Sequence, residues 1–282
     1  MLVAIQSLVT AMLLTVMPTW ATDAVNDKWA DEVLAQPEQD EGWTQPCHDE
    51  WNDGLESACE VRELPYQASG HALGLDGGEN GGMTVMGWDR KEVRVLYRIK
   101  ARAATTAQAQ QLAQSVRLED AEGWLTPRGP ALSKQQNWSV EMKVWVPRST
   151  NLSLRTKNGP AGIRGVKSTM EVHSQNGPVS LVEVGGAVMV RVQNGPLHVA
   201  LSGERWSGAG LDAEAENGPV NLVLPEHYSA RLETGTVNGP ATISYPIAIE
   251  GQIRGHFRQT LGSGGPPVRV VTENGPFRFA VR

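Results

Sequence analysis

The sequence predicts a mainly β protein: a single-stranded parallel β-solenoid of about six coils, with one short helix and an N-terminal β cap. First, the phrase Asn-Gly-Pro returns six times in the second half of the chain, at intervals of 18, 18, 23, 21 and 36 residues. The last interval is twice 18. Second, apolar and polar residues alternate on both sides of the phrase, as in strands with one buried face. Third, proline always follows the Asn-Gly pair. The six copies are Asn158-Gly159-Pro160, Asn176-Gly177-Pro178, Asn194-Gly195-Pro196, Asn217-Gly218-Pro219, Asn238-Gly239-Pro240 and Asn274-Gly275-Pro276.

The proline decides between the two folds that such strands allow. Asn-Gly between alternating runs ordinarily predicts a two-residue hairpin. The residue after such a turn must donate its backbone N–H across the turn, and proline has none. We therefore interpret each phrase as a corner, where Asn or Gly adopts the left-handed conformation and the chain bends into a new parallel strand. A meander of hairpins is the alternative, and it would make neighbouring strands antiparallel.

The flanks of the fourth corner illustrate the strand pattern. Its apolar positions alternate before and after the phrase and are Leu211, Ala213, Ala215, Val220, Leu222 and Leu224. In register, the six asparagines would form a ladder along one edge of the solenoid. We expect each side chain to bond to backbone at its own corner or to its stacked neighbour, rather than to a ligand.

Composition narrows the function classes. The chain has 282 residues, of which 40% are hydrophobic and 20% charged, with a formal net charge of −6. Its 25 Lys and Arg are scattered rather than massed, so no nucleic-acid partner is expected. The glycine cluster near Gly262 is followed by neither Lys-Ser/Thr nor a helix, and no other cofactor motif occurs. We predict no cofactor and no metal.

The N-terminus predicts export. Leu2 to Met17 is uncharged and mostly apolar, and Ala21 ends a small-residue cleavage site. This pattern is typical of a secretory signal peptide over residues 1–21. An uncleaved anchor is the alternative, although a membrane span needs about 20 apolar residues. After cleavage no further span is expected, which places the protein in the periplasm, on the cell surface or outside the cell. Residues 22–43 are acidic, with little periodicity, and predict a flexible leader.

Residues 44–150 predict an N-terminal β cap region, ahead of the repeats in residues 151–282. Its two cysteines, Cys47 and Cys59, are the only ones in the chain, and in an exported protein they predict a disulfide. A metal site that uses His48 with both cysteines is the alternative, but it lacks a fourth ligand at suitable spacing.

The cap region also contains the one convincing helix, from Thr105 to Val116. Thr105 or Thr106 is its expected N-cap. Its apolar stripe is predicted to cover the sheet or to close the open end of the first coil, and consists of Ala109, Leu112, Ala113 and Val116. The stretch Glu79-Asn80-Gly81-Gly82 resembles a degenerate first repeat, followed by a short strand from Met83 to Trp88.

Several segments together resemble a known family. They are the Cys59-Glu60-Val61-Arg62-Glu63 segment, the Gly87-Trp88-Asp89 turn, the Leu152-Ser153-Leu154-Arg155-Thr156 strand, the Tyr228-to-Thr234 stretch, the Leu261-to-Gly265 stretch and the Asn-Gly corners. Over residues 45–282 the chain is similar to bacterial exported proteins called "putative adhesin", a β-solenoid domain family of unknown function. The resemblance implies the fold and leaves the activity open.

We therefore expect an exported, non-enzymatic, adhesin-like solenoid that presents a rigid surface to a cell-envelope glycan or protein. Its candidate contacts are Trp206, Trp51 and Trp145, expected to be exposed; the alternative for each is to cap the end of a coil. An envelope-stress or regulatory module that acts through a protein partner is the alternative. A third is a polysaccharide-active enzyme, which would need two carboxylates facing one groove. The carboxylates weighed for that role are Glu171, Glu183, Glu214, Glu216 and Glu233.

Overall fold

The computed structural model describes residues 54–67, 71–247 and 255–281. The predicted signal peptide and acidic leader, together with Cys47, His48 and Trp51, lie outside the described residues. The Cys47–Cys59 disulfide therefore stays a prediction.

The described residues form twenty strands and one helix. The first half contains β1 (Glu56–Tyr66), β2 (Leu73–Asp76), β3 (Met83–Trp88), β4 (Val93–Ala103), α1 (Thr106–Ser115), β5 (Arg117–Ala121), β6 (Trp124–Arg128), β7 (Asn137–Pro147), β8 (Leu152–Thr156), β9 (Ala161–Arg164) and β10 (Lys167–Asn176). The second half contains β11 (Val179–Val182), β12 (Gly185–Asn194), β13 (Leu197–Ala200), β14 (Gly210–Asn217), β15 (Val220–Leu224), β16 (Ala230–Asn238), β17 (Ala241–Ile243), β18 (Gly255–Leu261), β19 (Pro267–Asn274) and β20 (Phe277–Val281).

Two ten-stranded sheets enclose the core. Sheet A has the strand order β1-β4-β7-β3-β9-β11-β13-β15-β20-β17, and sheet B has the order β18-β16-β19-β14-β12-β10-β8-β2-β6-β5. Each Asn-Gly-Pro corner joins a longer strand of sheet B to a shorter strand of sheet A. Over the part of the chain that the structure describes, the prediction of a mainly β protein with one helix is confirmed.

Strands that come from successive repeats run parallel. β10 pairs with β12 so that Val172 lies opposite Val190, and β11 pairs with β13 so that Leu181 lies opposite Val199. The chain therefore winds forward from sheet to sheet, and a meander of hairpins is excluded for the repeats. One face of each strand points into the core, so apolar residues recur at every second position.

The predicted core positions are buried between the two sheets. The six alternating apolar residues around the fourth corner are all at most 2% exposed. They belong to one continuous apolar cluster that extends from the N-terminal strands to Phe279 in β20.

The N-terminal end is closed differently from the repeats. β1, β4 and β7 pair antiparallel at one end of sheet A, and α1 packs its apolar stripe into the core beneath β1 and β4. Thr105 is the N-cap, and its Oγ1 accepts a hydrogen bond from the Gln108 N–H at 3.3 Å. The predicted helix and its cap are confirmed.

The last turn of the chain does not stack last. β19 lies between β14 and β16 in sheet B, and β20 lies between β15 and β17 in sheet A. The turn formed by β19 and β20 is therefore stacked out of chain order. β18 pairs antiparallel with the far edge of β16, so the edge of β16 that faces β14 is the one left for the returning β19.

Candidate functional site

The corner asparagines form a continuous hydrogen-bonded ladder along one edge of the molecule. In spatial order its members are Asn80, Asn158, Asn176, Asn194, Asn217, Asn274 and Asn238. Each Nδ2 in this ladder donates to the Oδ1 of the preceding asparagine over 2.9–3.3 Å. Asn80 comes from the degenerate repeat, which therefore occupies a true corner. The amides are engaged with one another, and this arrangement favours a structural role over ligand binding.

Glycine is needed at the corners because the corners stack closely. A β-carbon at Gly177 would lie 2.3 Å from the carbonyl oxygen of Gly159, and one at Gly159 would lie 2.2 Å from that of Gly81. The predicted left-handed conformation is wrong at most corners. Of the corner residues, only Gly195 and Gly218 have φ in the positive range, at 149° and 157°, and no corner asparagine has positive φ.

The corner prolines take part in the backbone hydrogen bonding between neighbouring strands through their carbonyl groups. The Ala161 N–H donates to the Pro178 oxygen, and the Val179 N–H donates to the Pro196 oxygen, both at 2.9 Å. The proline nitrogen needs no partner at this position. A residue without an N–H therefore fits the corner at no cost in hydrogen bonds.

The outer face of sheet B, which points away from the core, carries a groove. The groove has a volume of about 920 Å³. We call this the groove face, and the outward-pointing residues that line it are Thr169, Glu171, Ala187, Met189, Gly210, Asp212, Arg231, Glu233, Arg258, Thr260, Pro267 and Arg269. Parallel register places Glu171, Met189, Asp212, Arg269 and Glu233 in one row across the strands.

The middle of the groove is lined by small and apolar side chains. Ala187 is exposed, and Gly210 lies beside it in the next strand. Met189 is 38% exposed, which is high for a large apolar side chain. Since the neighbouring row from Glu171 to Glu233 carries longer, mostly charged side chains, the small residues create the depression.

Arg269 is the centre of an ion-pair network along one wall of the groove. Its Nη1 lies 2.8 Å from Asp212 Oδ1 and 2.7 Å from Glu214 Oε2, and its Nε lies 3.6 Å from Glu233 Oε1. Arg258 holds the other oxygen of Glu233 at 2.8 Å. A further ion pair joins Asp212 to Arg191. Three arginines and three carboxylates therefore fix one another across five strands.

The network lowers the pKa of two of its carboxyl groups. Burial raises the pKa of Asp212, but hydrogen bonds from Arg191 and Arg269 outweigh that effect and leave the pKa below its ordinary value. The hydrogen bond from Arg258 lowers the pKa of Glu233. Both groups are therefore ionised at neutral pH, in agreement with their role as fixed acceptors.

A second groove adjoins the first, nearer to the asparagine ladder. It has a volume of about 790 Å³ and is lined by polar residues, among them Arg155, Lys157, His173, Gln175 and Gln193. His173 Nε2 lies 2.8 Å from Glu171 Oε1, which connects the walls of the two grooves. The groove face therefore offers a long polar surface with an apolar centre.

The carboxylates weighed for catalysis are dispersed or neutralised. Glu214 and Glu233 come together only through Arg269, which binds both. Glu183 lies at the end of a sheet A strand, 3.6 Å from Arg164. Glu216 lines the second groove. Within the described residues, no three His, Cys, Asp or Glu side chains group closely enough to hold a metal ion.

The expected exposure of two tryptophans is wrong. Trp206 is 3% exposed and packs into the core, and its Nε1 donates to the Gly186 carbonyl at 2.9 Å. Trp145 is 4% exposed on the outer face of sheet A. Both rings are buried because a large aromatic side chain gains more from burial than from exposure. The arginine network could not be found from any pattern in the sequence, because only the register of the paired strands brings its members together.

The family model described as Toastrack DUF4097 matches residues 84–278, from β3 into β20. The chain belongs to the Toastrack DUF4097 family. The matched residues of this Toastrack chain include all six Asn-Gly-Pro corners and the whole groove face.

Three solved structures resemble the Toastrack chain at low identity. A "putative cell adhesion protein" from Clostridium sporogenes is 10% identical with a TM-score of 0.39, over 80% of this chain and all of the other. A "putative adhesin" from Bacteroides fragilis is 9% identical with a TM-score of 0.37, over 80% and 97%. A "Putative lipid binding protein" from Parabacteroides distasonis is 13% identical with a TM-score of 0.31, over 78% and 96%. No curated protein matches the chain. In the described part of this Toastrack chain, no helix is long and apolar enough to cross a bilayer.

Proposed function

We propose that this Toastrack protein is an exported, non-enzymatic, adhesin-like β-solenoid of about six coils, and that its groove face binds a cell-envelope protein or glycan. One observation carries the proposal: an apolar depression of about 920 Å³ bordered by a fixed network of arginines and carboxylates. Apolar centres with polar, charge-bearing rims are typical of recognition surfaces.

The scaffold favours recognition by a preorganised surface. Apart from Arg258 and Thr260 on the edge strand β18, each groove residue stands on a strand that pairs with a neighbour on both sides, and the asparagine ladder fixes the corners where these paired strands end. A surface that is ordered before binding loses less entropy on association. Such rigidity suits adhesion, where a partner must be held without conformational change in the scaffold.

The chemistry of the groove face favours a protein partner over a glycan. Methionine and arginine are enriched in protein interfaces, and Met189 and Arg258 are both accessible here. Arrays of both signs of charge select partners with the complementary pattern. Of the candidate aromatic contacts, Trp206 lies in the core and Trp145 on the outer face of sheet A, so neither contributes to the groove face.

The ion-paired carboxylates favour binding over catalysis. A general acid needs a pKa raised toward the working pH, whereas the pKa of Glu233 is lowered by Arg258. A nucleophile or base would also need an accessible carboxylate, and Arg269 covers Glu214 and Glu233 together.

The test is a pull-down of envelope extract with the full chain, in which Ala187→Trp fills the apolar centre of the groove. The matched control is Ala241→Trp, at an exposed alanine in β17 of sheet A. We expect the wild type and Ala241→Trp to retain one protein that Ala187→Trp loses. Retention of that protein by all three chains would reject the groove as its site. Loss of binding after deglycosylation of the extract would assign the glycan instead.

A further inference from the structure

The outer face of sheet A is buried, although it points away from the core. All four residues of β11 are buried, so both faces of this strand are covered. Val182 is 0% exposed and forms a separate apolar cluster with Ala200 and Val223, while Ser180 on the same face is also 0% exposed. Flanking strands shield a side chain laterally but not from above, where it stands out of the sheet. Complete burial therefore indicates that a cover lies on this face.

A second apolar cluster lies on the same face, nearer to the N-terminal end. It consists of Met86, Leu96 and Trp145, with Trp88 packed against them. The Trp88 and Trp145 ring centroids are 6.3 Å apart. Arg94 Cζ and Lys143 Nζ each lie 5.1 Å from the centroid of the Trp145 ring. This cluster combines aromatic surface with positive charge.

Positive charge predominates over this part of the face. In β1, β4, β7, β3 and β9 the basic residues that point outward are Arg94, Arg98, Lys100, Arg102, Lys143 and Arg164. Two acidic residues, Glu63 and Glu141, point outward from the same strands. A cover for this surface should therefore be acidic and should contain apolar or aromatic residues.

Residues 22–53 of the same chain have that composition. They contain one lysine, three tryptophans and ten acidic residues, which are Asp23, Asp27, Asp31, Glu32, Glu38, Asp40, Glu41, Asp49, Glu50 and Asp53. The chain as a whole has a net charge of only −6, so its acidic surplus is concentrated in this segment.

The segment also enters the structure at the right place. β1 is the edge strand of sheet A, and its Cys59 lies opposite Lys100 on the outer face. The predicted disulfide to Cys47 would hold the segment on this face. From β1 to β13 is six strand spacings, roughly 29 Å, and an extended chain of this length spans up to about 100 Å. Residues 22–53 can therefore reach from the basic strands to the cluster around Val182.

We propose that residues 22–53 lie across the outer face of sheet A, with their carboxylates on its arginines and lysines and their tryptophans on its apolar clusters. The chain thereby covers one of its two broad faces itself. The groove face of sheet B is then the broad surface that remains for a partner.

Carboxyl-to-amine coupling by a zero-length carbodiimide in the full chain tests the contact directly. We expect mass spectrometry of the monomer to find crosslinks between residues 22–53 and Lys100 or Lys143, and to find them lost at high salt, which screens such contacts. Lys167, on the groove face, is the matched control. Crosslinks to Lys167 as frequent as those to Lys100 and Lys143, or no crosslink from the segment to sheet A, would overturn the proposal.

A charge-neutral variant provides a second measurement that does not depend on lysine reactivity. Glu38→Gln, Asp40→Asn and Glu41→Gln together should make a glutamate-specific protease cut at Glu32 and Glu50 about fivefold faster, because the segment is released more often. The control variant carries three exchanges at exposed positions elsewhere, Glu204→Gln, Glu216→Gln and Glu226→Gln. Equal cleavage rates in the acidic-segment variant, the control and the wild type would contradict the cover.

Discussion

The carbonyl oxygen of Gly159 lies 2.3 Å from the point that a β-carbon on Gly177 would occupy. Real side chains do not approach backbone so closely, so one of the two corners would have to move. The same relationship repeats from corner to corner, at 2.5 Å for Gly195 over Gly177 and 2.1 Å for Gly218 over Gly195. A displacement at one corner would therefore disturb the corners on both sides.

Gly177→Ala should lower the free energy of unfolding by about 2–4 kcal/mol, as expected when an atom is forced into a packed site. Gly203→Ala is the control. Gly203 has φ of +77° but open space around its β-carbon, so its replacement should cost about 1 kcal/mol from backbone strain alone. Urea denaturation measures both. A smaller loss of unfolding free energy in Gly177→Ala than in Gly203→Ala would mean that glycine is required for its backbone conformation and not for the close stacking of the corners.

Asn194→Ala should cost about 1–2 kcal/mol, because Asn194 both donates to Asn176 and accepts from Asn217. Asn238→Ala should cost about half as much, because Asn238 stands at the end of the ladder and donates once, to Asn274. Thermal denaturation of the two variants compares the positions. Equal losses of stability in the two variants would show that each corner stabilises the fold separately and that the hydrogen bonds between corner asparagines add nothing.

Arg269→Gln should destabilise the protein by about 1 kcal/mol at pH 7 and by less at pH 3. The loss is small because the network is partly exposed to solvent, which screens its charges. The lowered pKa values of Asp212 and Glu233 stabilise the fold above the ordinary carboxyl pKa, and this stability is lost as the pH falls through the lowered values. Without Arg269 the clustered carboxylates repel at neutral pH and are relieved by protonation.

Denaturant titrations of wild type and Arg269→Gln at both pH values measure that difference, with Arg278→Gln, at an exposed arginine of β20, as the control. A penalty for Arg269→Gln that stays constant between pH 7 and pH 3 would refute an electrostatic role for Arg269.

Thr105→Ala should cost about 1 kcal/mol, because Gln108 N–H loses its capping acceptor at the start of α1. Gln110→Ala, at an exposed position in the same helix, should change stability by a few tenths of a kcal/mol at most. Urea denaturation with circular dichroism compares them. An unchanged urea midpoint in Thr105→Ala would show that the cap does not stabilise α1.

The sequence predicts the local parts of this fold because each is determined by neighbouring residues. Alternation specifies the strands around Leu211 and Val220, the stripe of Leu112 and Ala113 specifies the buried side of α1, and proline excludes tight reversals at the corners. These features require no knowledge of which strand lies next to which.

The order of the strands and the candidate site could not be predicted in the same way. Nothing in the alternation of β19 distinguishes a place beside β14 from a place beyond β16, since both present similar edges. Arg269 meets Asp212 and Glu233 only because of that order. The burial of Trp206 likewise depends on a loop that folds back to the Gly186 carbonyl.

The position of β19 and β20 has a consequence for synthesis. A solenoid that stacks in chain order can add each turn as it leaves the ribosome, but here the level between β14 and β16 stays empty until residues 267–281 have been made. The last turn must then enter between two layers rather than join an open end. Loss of this turn by premature termination would remove Asn274 and break the asparagine ladder between Asn217 and Asn238. β14 and β16, which β19 otherwise separates, would then face each other across the gap.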